Sequence, residues 1–421
     1  MIDQKRIGKL YPHILGLFSA VFLLTPHYTT MAILGWIVFL IISGISKSLQ
    51  FNWNWKSALW IGFYLLYVIG SFFTNHEDLA GKYLEYKLSF IIFPLLFSFQ
   101  PKAKFEISQS FLWFIGALTV LTTMNFIHSF SCGMGRSCFL SSQFSYSHHP
   151  TYFSAFHFFA ITIIVFGYQK NWKYFNPKWI IPFLALSIIS QLLALSLAGI
   201  LILLGFIMSF ILYHIYKKWR RNGILVGFIA VPLLFFLFLS ETPQIAGDWN
   251  AAKKYLNEYI SEPSTFVKSR TYPFSGTEVR LVMWTAAFQT MMKYPFGVGT
   301  GNVDEFLGAQ LRDLDQNSLA EQNYNPHNQF LQIAIEIGFF GLVFFFLMLF
   351  YFVRVAWKTK NFILLFLVVS LFFNSLFESM LQRQSGIVFY TFWICILIQH
   401  TYLEKKTSTE GTLITIRKTG Q

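Results

Sequence analysis

The chain has 421 residues, of which 55% are hydrophobic, 20% aromatic and only 12% charged. Soluble domains carry about twice that charge, so the composition excludes an ordinary water-soluble enzyme. The formal net charge of +13 is not a nucleic-acid signature, because the basic residues sit mainly in short segments between apolar runs, as the positive-inside rule expects.

Apolar runs of about 17–20 residues, long enough to carry a helix across a bilayer core, recur from end to end. The chain therefore reads as an all-α polytopic membrane protein with about 12 transmembrane helices; a membrane β-barrel would show short alternating segments instead. The expected spans are 11–27, 30–46, 57–74, 81–99, 109–129, 151–168, 178–196, 198–216, 223–240, 328–352, 361–379 and 385–401. The first is followed at once by more spans and lacks a small-residue cleavage site, so it reads as a retained helix. The fourth contains Lys82, Glu85 and Lys87 and is expected to lie partly in the interface.

Basic residues alternate between loops. Lys5, Arg6 and Lys9 precede the first span, and Lys47 with Lys56, Lys102 with Lys104, the lysines at 170, 173 and 178, and KKWRR at 217–221 continue the series. This asymmetry places both termini in the cytoplasm. The expected organisation is a bundle over 1–240, an outward loop over 241–327 between helices 9 and 10, further spans over 328–401, and a polar cytoplasmic tail over 402–421. Cys132 and Cys138 share one outward loop and are either bonded or free; Cys395 reads as a small buried hydrophobe.

The outward loop should pack on the bundle as short helices, of which 276–293 is the clearest. Ser275 and Glu278 have capping-box spacing, Lys293 complements the helix end, and Pro295 stops it. Arg280 and Trp284 are four apart and share one face of that helix. A guanidinium beside an aromatic suits a phosphate with a lipid tail, although an arginine reaching for water would look the same. The GVGTGN segment at 297–302 lacks the parallel-sheet surroundings of a dinucleotide fingerprint and reads as a turn with exposed amides. His327 opens the run QFLQIAIEIGFFGL and is either an interfacial helix-start residue or a base for a hydroxyl proton. Glu336 lies inside that span, where an ionisable group is costly and defaults to a paired or functional role. Glu378 and Arg383 flank the last outward turn and are expected to pair with each other or with Arg280. Arg136, His148, His149 and Lys87 are the remaining outward polar candidates. No metal-ligand cluster, Walker loop or serine-nucleophile motif is evident.

R-x-x-x-W at 280–284, then YPFGVGTGN, then HNQFLQIAIEIGFFGL resemble the O-antigen ligase and polymerase family of bacterial envelopes. The motifs cover residues 276–342 and elsewhere only the layout is similar. The resemblance implies a glycosyltransferase of the bacterial inner membrane with its active site on the periplasmic side. Its donor would be a glycan on undecaprenyl diphosphate and its acceptor a lipid A-core sugar, with no metal or other cofactor. It implies that His327 is the general base and Arg280 a catalytic arginine. Asn328, Glu336, Gly338 and Gly341 match the pattern around the histidine, and Gly299 and Gly301 the turn. Ligases often carry a Ser-Arg-small run where this chain has Ser196-Leu197-Ala198. Another cation would then have to meet the diphosphate, with Arg136, Lys87 and Arg383 as candidates beside His149, Asn328 and Trp284 as substrate contacts, and Glu336 and Glu378 in support. The rival readings are an O-antigen polymerase, a protein O-oligosaccharyltransferase and, from another class, an envelope-lipid transporter, which tends to show internal repeats.

Overall fold

The long apolar runs are helical, as a lipid phase demands: with no water to satisfy the backbone, each N–H must find a carbonyl within its own segment. The computed structural model describes residues 3–133, 135–218, 243–271 and 274–419. The first half comprises α1 (Gln4–Leu24), α2 (Thr29–Ile45), α3 (Leu59–Ser71), α4 (Glu77–Lys87), α5 (Ser89–Leu96), α6 (Ile107–Ser131), α7 (Ser141–Phe144), α8 (Pro150–Gln169), α9 (Pro177–Leu193) and α10 (Leu197–Lys218). The second half comprises α11 (Pro243–Ser261), α12 (Pro263–Lys268), α13 (Gly276–Lys293), α14 (Val303–Asp313), α15 (Asn317–Ala320), α16 (Gln329–Lys358), α17 (Phe362–Ser375) and α18 (Gln384–Thr419).

Six of the described helices are long and apolar enough to cross a bilayer, and four shorter apolar helices accompany them. The expected ninth span, 223–240, lies outside the described residues. The expected fourth span is not one helix but α4 followed by α5. Glu77, Asp78, Lys82 and Glu85 are all exposed along α4, and charges in that number cannot face hydrocarbon. The eight residues of α5 rise only about 12 Å, too little to span. A second departure from the expected layout is a small antiparallel ribbon, β1 (Leu49–Phe51) with β2 (Phe99–Pro101), in which Leu49 faces Pro101. The third is the tail: α18 continues through the segment expected to be separate, which is rich in the good helix formers Lys and Glu at its start. Cys132 and Cys138 form a disulfide, and Cys395 is a free, buried thiol.

Lipid gives helices no hydrophobic reason to associate, so packing must supply it. Phe93 of α5 contacts Phe18 of α1 at 5.5 Å, Trp36 of α2 at 6.3 Å and Phe392 of α18 at 5.6 Å between ring centres. Such aromatic pairs add about 0.5–1.5 kcal/mol each beyond the area they bury. α1 and α6 approach closely because Gly16 leaves room for Trp113, whose ring would lie 2.5 Å from any added Cβ.

The loop helices have a core of their own. Phe266 and Val267 of α12, Leu281, Met283 and Ala286 of α13, and Leu307 and Leu311 of α14 cluster together and reach the bundle through Ile335 of α16. α13 begins with the capping box, in which Ser275 Oγ accepts from Glu278 N at 3.2 Å and Glu278 Oε2 accepts from Ser275 N at 2.9 Å. Arg270 braces α13 against α11 by pairing with Glu278 at 3.4 Å and with Glu258.

The turn after α13 locks this layer to a break in α16. Ile337 and Gly338 leave helical geometry, with φ 75° and ψ −178° at Gly338, and the carbonyls released there accept from the turn. Val298 N donates to Ile335 O at 2.8 Å, Gly299 N to Glu336 O at 3.1 Å, and Phe339 N to Pro295 O at 2.9 Å. Thr300 N donates to Gly70 O at 3.1 Å. The amides of Val298, Gly299, Thr300 and Asn302 are therefore taken up by backbone carbonyls, where the sequence had suggested exposed amides. Gly297, Gly299 and Gly301 all have positive φ, a region open to glycine at little cost.

Replacing Gly338 by Ala should cost on the order of 2 kcal/mol or more, because that backbone region belongs almost to glycine alone and a Cβ would sit 2.4 Å from the Phe296 carbonyl carbon. Thermal unfolding in detergent should show a clear drop in midpoint, whereas Gly205→Ala, where an added Cβ meets nothing within 4 Å, should not.

Candidate functional site

Two asparagines and a glutamine fix the start of α16 against the segment between α17 and α18. Asn325 Oδ1 accepts from His327 N at 2.9 Å and from Ser379 Oγ at 3.1 Å. Asn328 caps α16, its Oδ1 accepting from Phe330 N at 2.9 Å and Leu331 N at 3.1 Å. Its amide nitrogen donates to Leu376 O at 3.2 Å. Gln329 Oε1 accepts from Leu381 N at 2.6 Å. His327 itself is held at φ 49°, an uncommon state for a residue with a side chain and a mark of a position over-determined by its surroundings.

Glu378 is the hub that results. Its Oε2 lies 3.2 Å from His327 Nδ1 and 3.8 Å from His149 Nε2, and its Oε1 accepts from Ser379 N at 3.1 Å. It is only 4% exposed. Burial pushes its carboxyl up, but the His327 hydrogen bond, the charges of His327 and His149, and the Ser379 amide outweigh burial and hold it below the ordinary carboxylate value. An ionised carboxylate can only accept hydrogen bonds. His327 Nδ1 therefore carries the hydrogen, and in the neutral ring Nε2 is left with the lone pair. His149 stands at the N-cap of α8, where its Nδ1 accepts from Thr151 N at 3.4 Å.

Cations outnumber this carboxylate. Burial lowers the proton affinity of His149; Glu378 opposes that, and Arg383, His327 and Arg280 reinforce it. Burial likewise disfavours the charged form of Arg280, with Glu378 in opposition. The expected pairing of Glu378 with an arginine is replaced by pairing with two histidines, and the arginines act on it from farther off. Arg280 Nη1 donates to Gly276 O at 3.3 Å. Its Nε, and Nε1 of Trp284 on the same face, are buried with no hydrogen-bond partner among the described residues. Among the described residues the indole N–H groups of Trp36, Trp60 and Trp393 share that state.

Of the remaining candidates, Arg383 is exposed at the entry to α18. Arg136 begins a 3-10 turn, Arg136–Phe139, and its side chain lies outside the described residues. Lys87 is not beside His327: it is fully buried and pairs with Glu336 at 3.6 Å. His148 is buried and bonds Leu23 O at 2.9 Å, a structural tie between α8 and α1. Gly299, Gly301 and Gly338 serve the turn and the helix break. Sequence reading missed Asn325, Gln329, Ser379 and Gln382, all in short polar stretches beside the candidates it did name. Among the described residues no three His, Cys, Asp or Glu side chains are grouped to hold a metal ion.

The arrangement defines a multi-pass membrane protein in which two helices begin and a third ends around a histidine–carboxylate pair ringed by cations. The family model for O-antigen ligase matches residues 182–346, from α9 through the break in α16, and includes Arg280 and His327. Over those residues, less than half of the chain, it is similar to a family whose members are glycosyltransferase-like enzymes. No curated protein matches the chain.

The pH dependence of stability follows from these environments. His149 and Glu378 both bind protons less readily in the folded state, so the unfolded chain takes up more protons on acidification and stability falls. The loss should begin below the ordinary imidazole value of 6.5 and continue as pH falls through the depressed value of Glu378. Thermal midpoints measured between neutral and acid pH should decline less steeply in His149→Gln than in the parent protein, because that change removes one depressed group and weakens the depression of Glu378.

Proposed function

We propose that the protein transfers a glycan from undecaprenyl diphosphate to a sugar of the lipid A core at the periplasmic face of the bacterial inner membrane. The observation that carries this reading is the hydrogen bond of His327 Nδ1 to the buried Glu378 at 3.2 Å, beside guanidinium groups that the one carboxylate does not neutralise. Glu378 fixes the imidazole tautomer and stabilises the imidazolium, and Nε2 takes the proton of the acceptor hydroxyl. The acceptor oxygen attacks the anomeric carbon, the bond from that carbon to the diphosphate oxygen breaks, and undecaprenyl diphosphate leaves. Negative charge grows on the diphosphate as the bond breaks. In this reading Arg280 and Arg383 take up that charge, and one well-placed donor is worth about 3–4 kcal/mol of barrier. The unpartnered N–H groups of Arg280 and Trp284 suit phosphate oxygens, and the aromatic ring suits the start of the lipid tail.

The test is lipopolysaccharide from cells carrying single variants at normal protein level. His327→Ala and Arg280→Ala should each remove glycan-capped lipopolysaccharide and leave bare core on silver-stained gels. With purified protein, lipid-linked glycan and core acceptor, and no added metal or nucleotide, each should lower transfer at least about 100-fold. Normal ladders from both variants would reject the reading. Core bearing single repeat units would instead make the protein a polymerase, and lost glycoprotein with unchanged lipopolysaccharide an oligosaccharyltransferase acting on protein.

A further inference from the structure

Lys87 is 0% exposed. Its ammonium lies 4.6 Å from the centre of the Tyr67 ring and 5.3 Å from that of Tyr83, 3.6 Å from Glu336 Oε1, and donates to Gln382 Oε1 at 3.0 Å. Gln382 returns a hydrogen bond from Nε2 to Glu336 Oε2 at 2.7 Å. Gln332, one turn before Glu336, donates to the same oxygen at 3.3 Å. Both ends of the Gln382 amide are thus bonded to oppositely charged groups, which make stronger and more directional partners than neutral ones. Tyr83 extends the cluster by donating to Asp304 Oδ2 of α14 at 3.2 Å.

Gln382 is the residue before Arg383 and lies four after Glu378. Its neighbour Leu381 is held by Gln329 of α16. The clamp on Gln382 and the bond to Leu381 therefore grip one end of the segment whose other end carries the Glu378 carboxylate. Lys87 has no surface to offer a phosphate.

The geometry points to Lys87 and Glu336 as positioning residues: through Gln382 they hold segment 376–383, and with it Glu378 and Arg383, in register with His327. The consequence for turnover rests on the transferase reading; the consequence for the segment's order does not.

Two double variants separate grip from charge. Lys87→Gln with Glu336→Gln removes both charges and keeps groups that can bond the Gln382 amide. Lys87→Met with Glu336→Leu removes both charges and the bonding groups. Neither leaves a lone buried charge, so both should fold, which thermal unfolding checks. In the Met/Leu protein, hydrogen exchange over residues 376–383 should quicken at least tenfold with α6 and α8 unchanged, and transfer should fall at least tenfold with the acid limb of its pH profile moved to lower pH. The Gln/Gln protein should stay within threefold of the parent in both. Unchanged exchange in the Met/Leu protein overturns the inference whatever the reaction is. Equal loss of transfer in both folded proteins overturns it too, since charge and not grip would then matter. If the parent protein shows no transfer while the exchange result appears as expected, the transferase reading fails and the clamp stands.

Discussion

A buried carboxylate is tolerable only if positive or hydrogen-bonding partners come to it, and Glu378 obliges three parts of the chain to do so. His327 arrives from the start of α16, His149 from the start of α8, and the Ser379 amide from the adjoining turn. Taking away the partners would leave a lone charge in a low-dielectric setting, at a cost of about 3–5 kcal/mol. The need to satisfy one group thus fixes the relative position of helices that lipid alone would not bring together.

The same need recurs deeper in the bundle. Glu336 follows the start of α16 by seven residues, about 10 Å of helix rise, and is met by Lys87 from α4 and Gln382 from the α17–α18 turn. Both carboxylates therefore draw on residues between 376 and 383. Glycine complements this. The break at Gly338 frees carbonyls, the 297–302 turn takes them up, and the loop layer carrying Arg280 is seated against the same helix. Packing of the loop helices around Leu281, Met283 and Leu307 then holds Arg280 at the rim.

The resulting charge balance is what gives the site a chemical direction. One carboxylate faces two histidines and two arginines, so an added anion finds attraction, and burial strengthens it by excluding water. A carboxylate fixes the imidazole tautomer, leaving a lone pair on the opposite nitrogen. Under the proposed reading, a base and cations at one cluster of helix ends suit group transfer from an anionic, lipid-borne leaving group better than passage of a solute across the bilayer.

Sequence alone settled what depends on local spacing. Run length and charge content set the membrane class, because crossing hydrocarbon requires a minimum helix length. The capping box at Ser275 and Glu278, the helix at 276–293 and the shared face of Arg280 and Trp284 followed from fixed helical geometry, as did the cost of an ion at Glu336. The partners did not follow. Glu378 had Arg383 close in sequence, yet its carboxylate meets histidines 51 positions before it and farther back still. Lys87 looked like one more outward cation until Glu336 and Gln382 were found around it, and the 297–302 turn looked free until the opened carbonyls of α16 took its amides. Which buried charge meets which is decided by three-dimensional packing, since hydrogen bonds and ion pairs act over a few ångströms of space and carry no memory of separation along the chain.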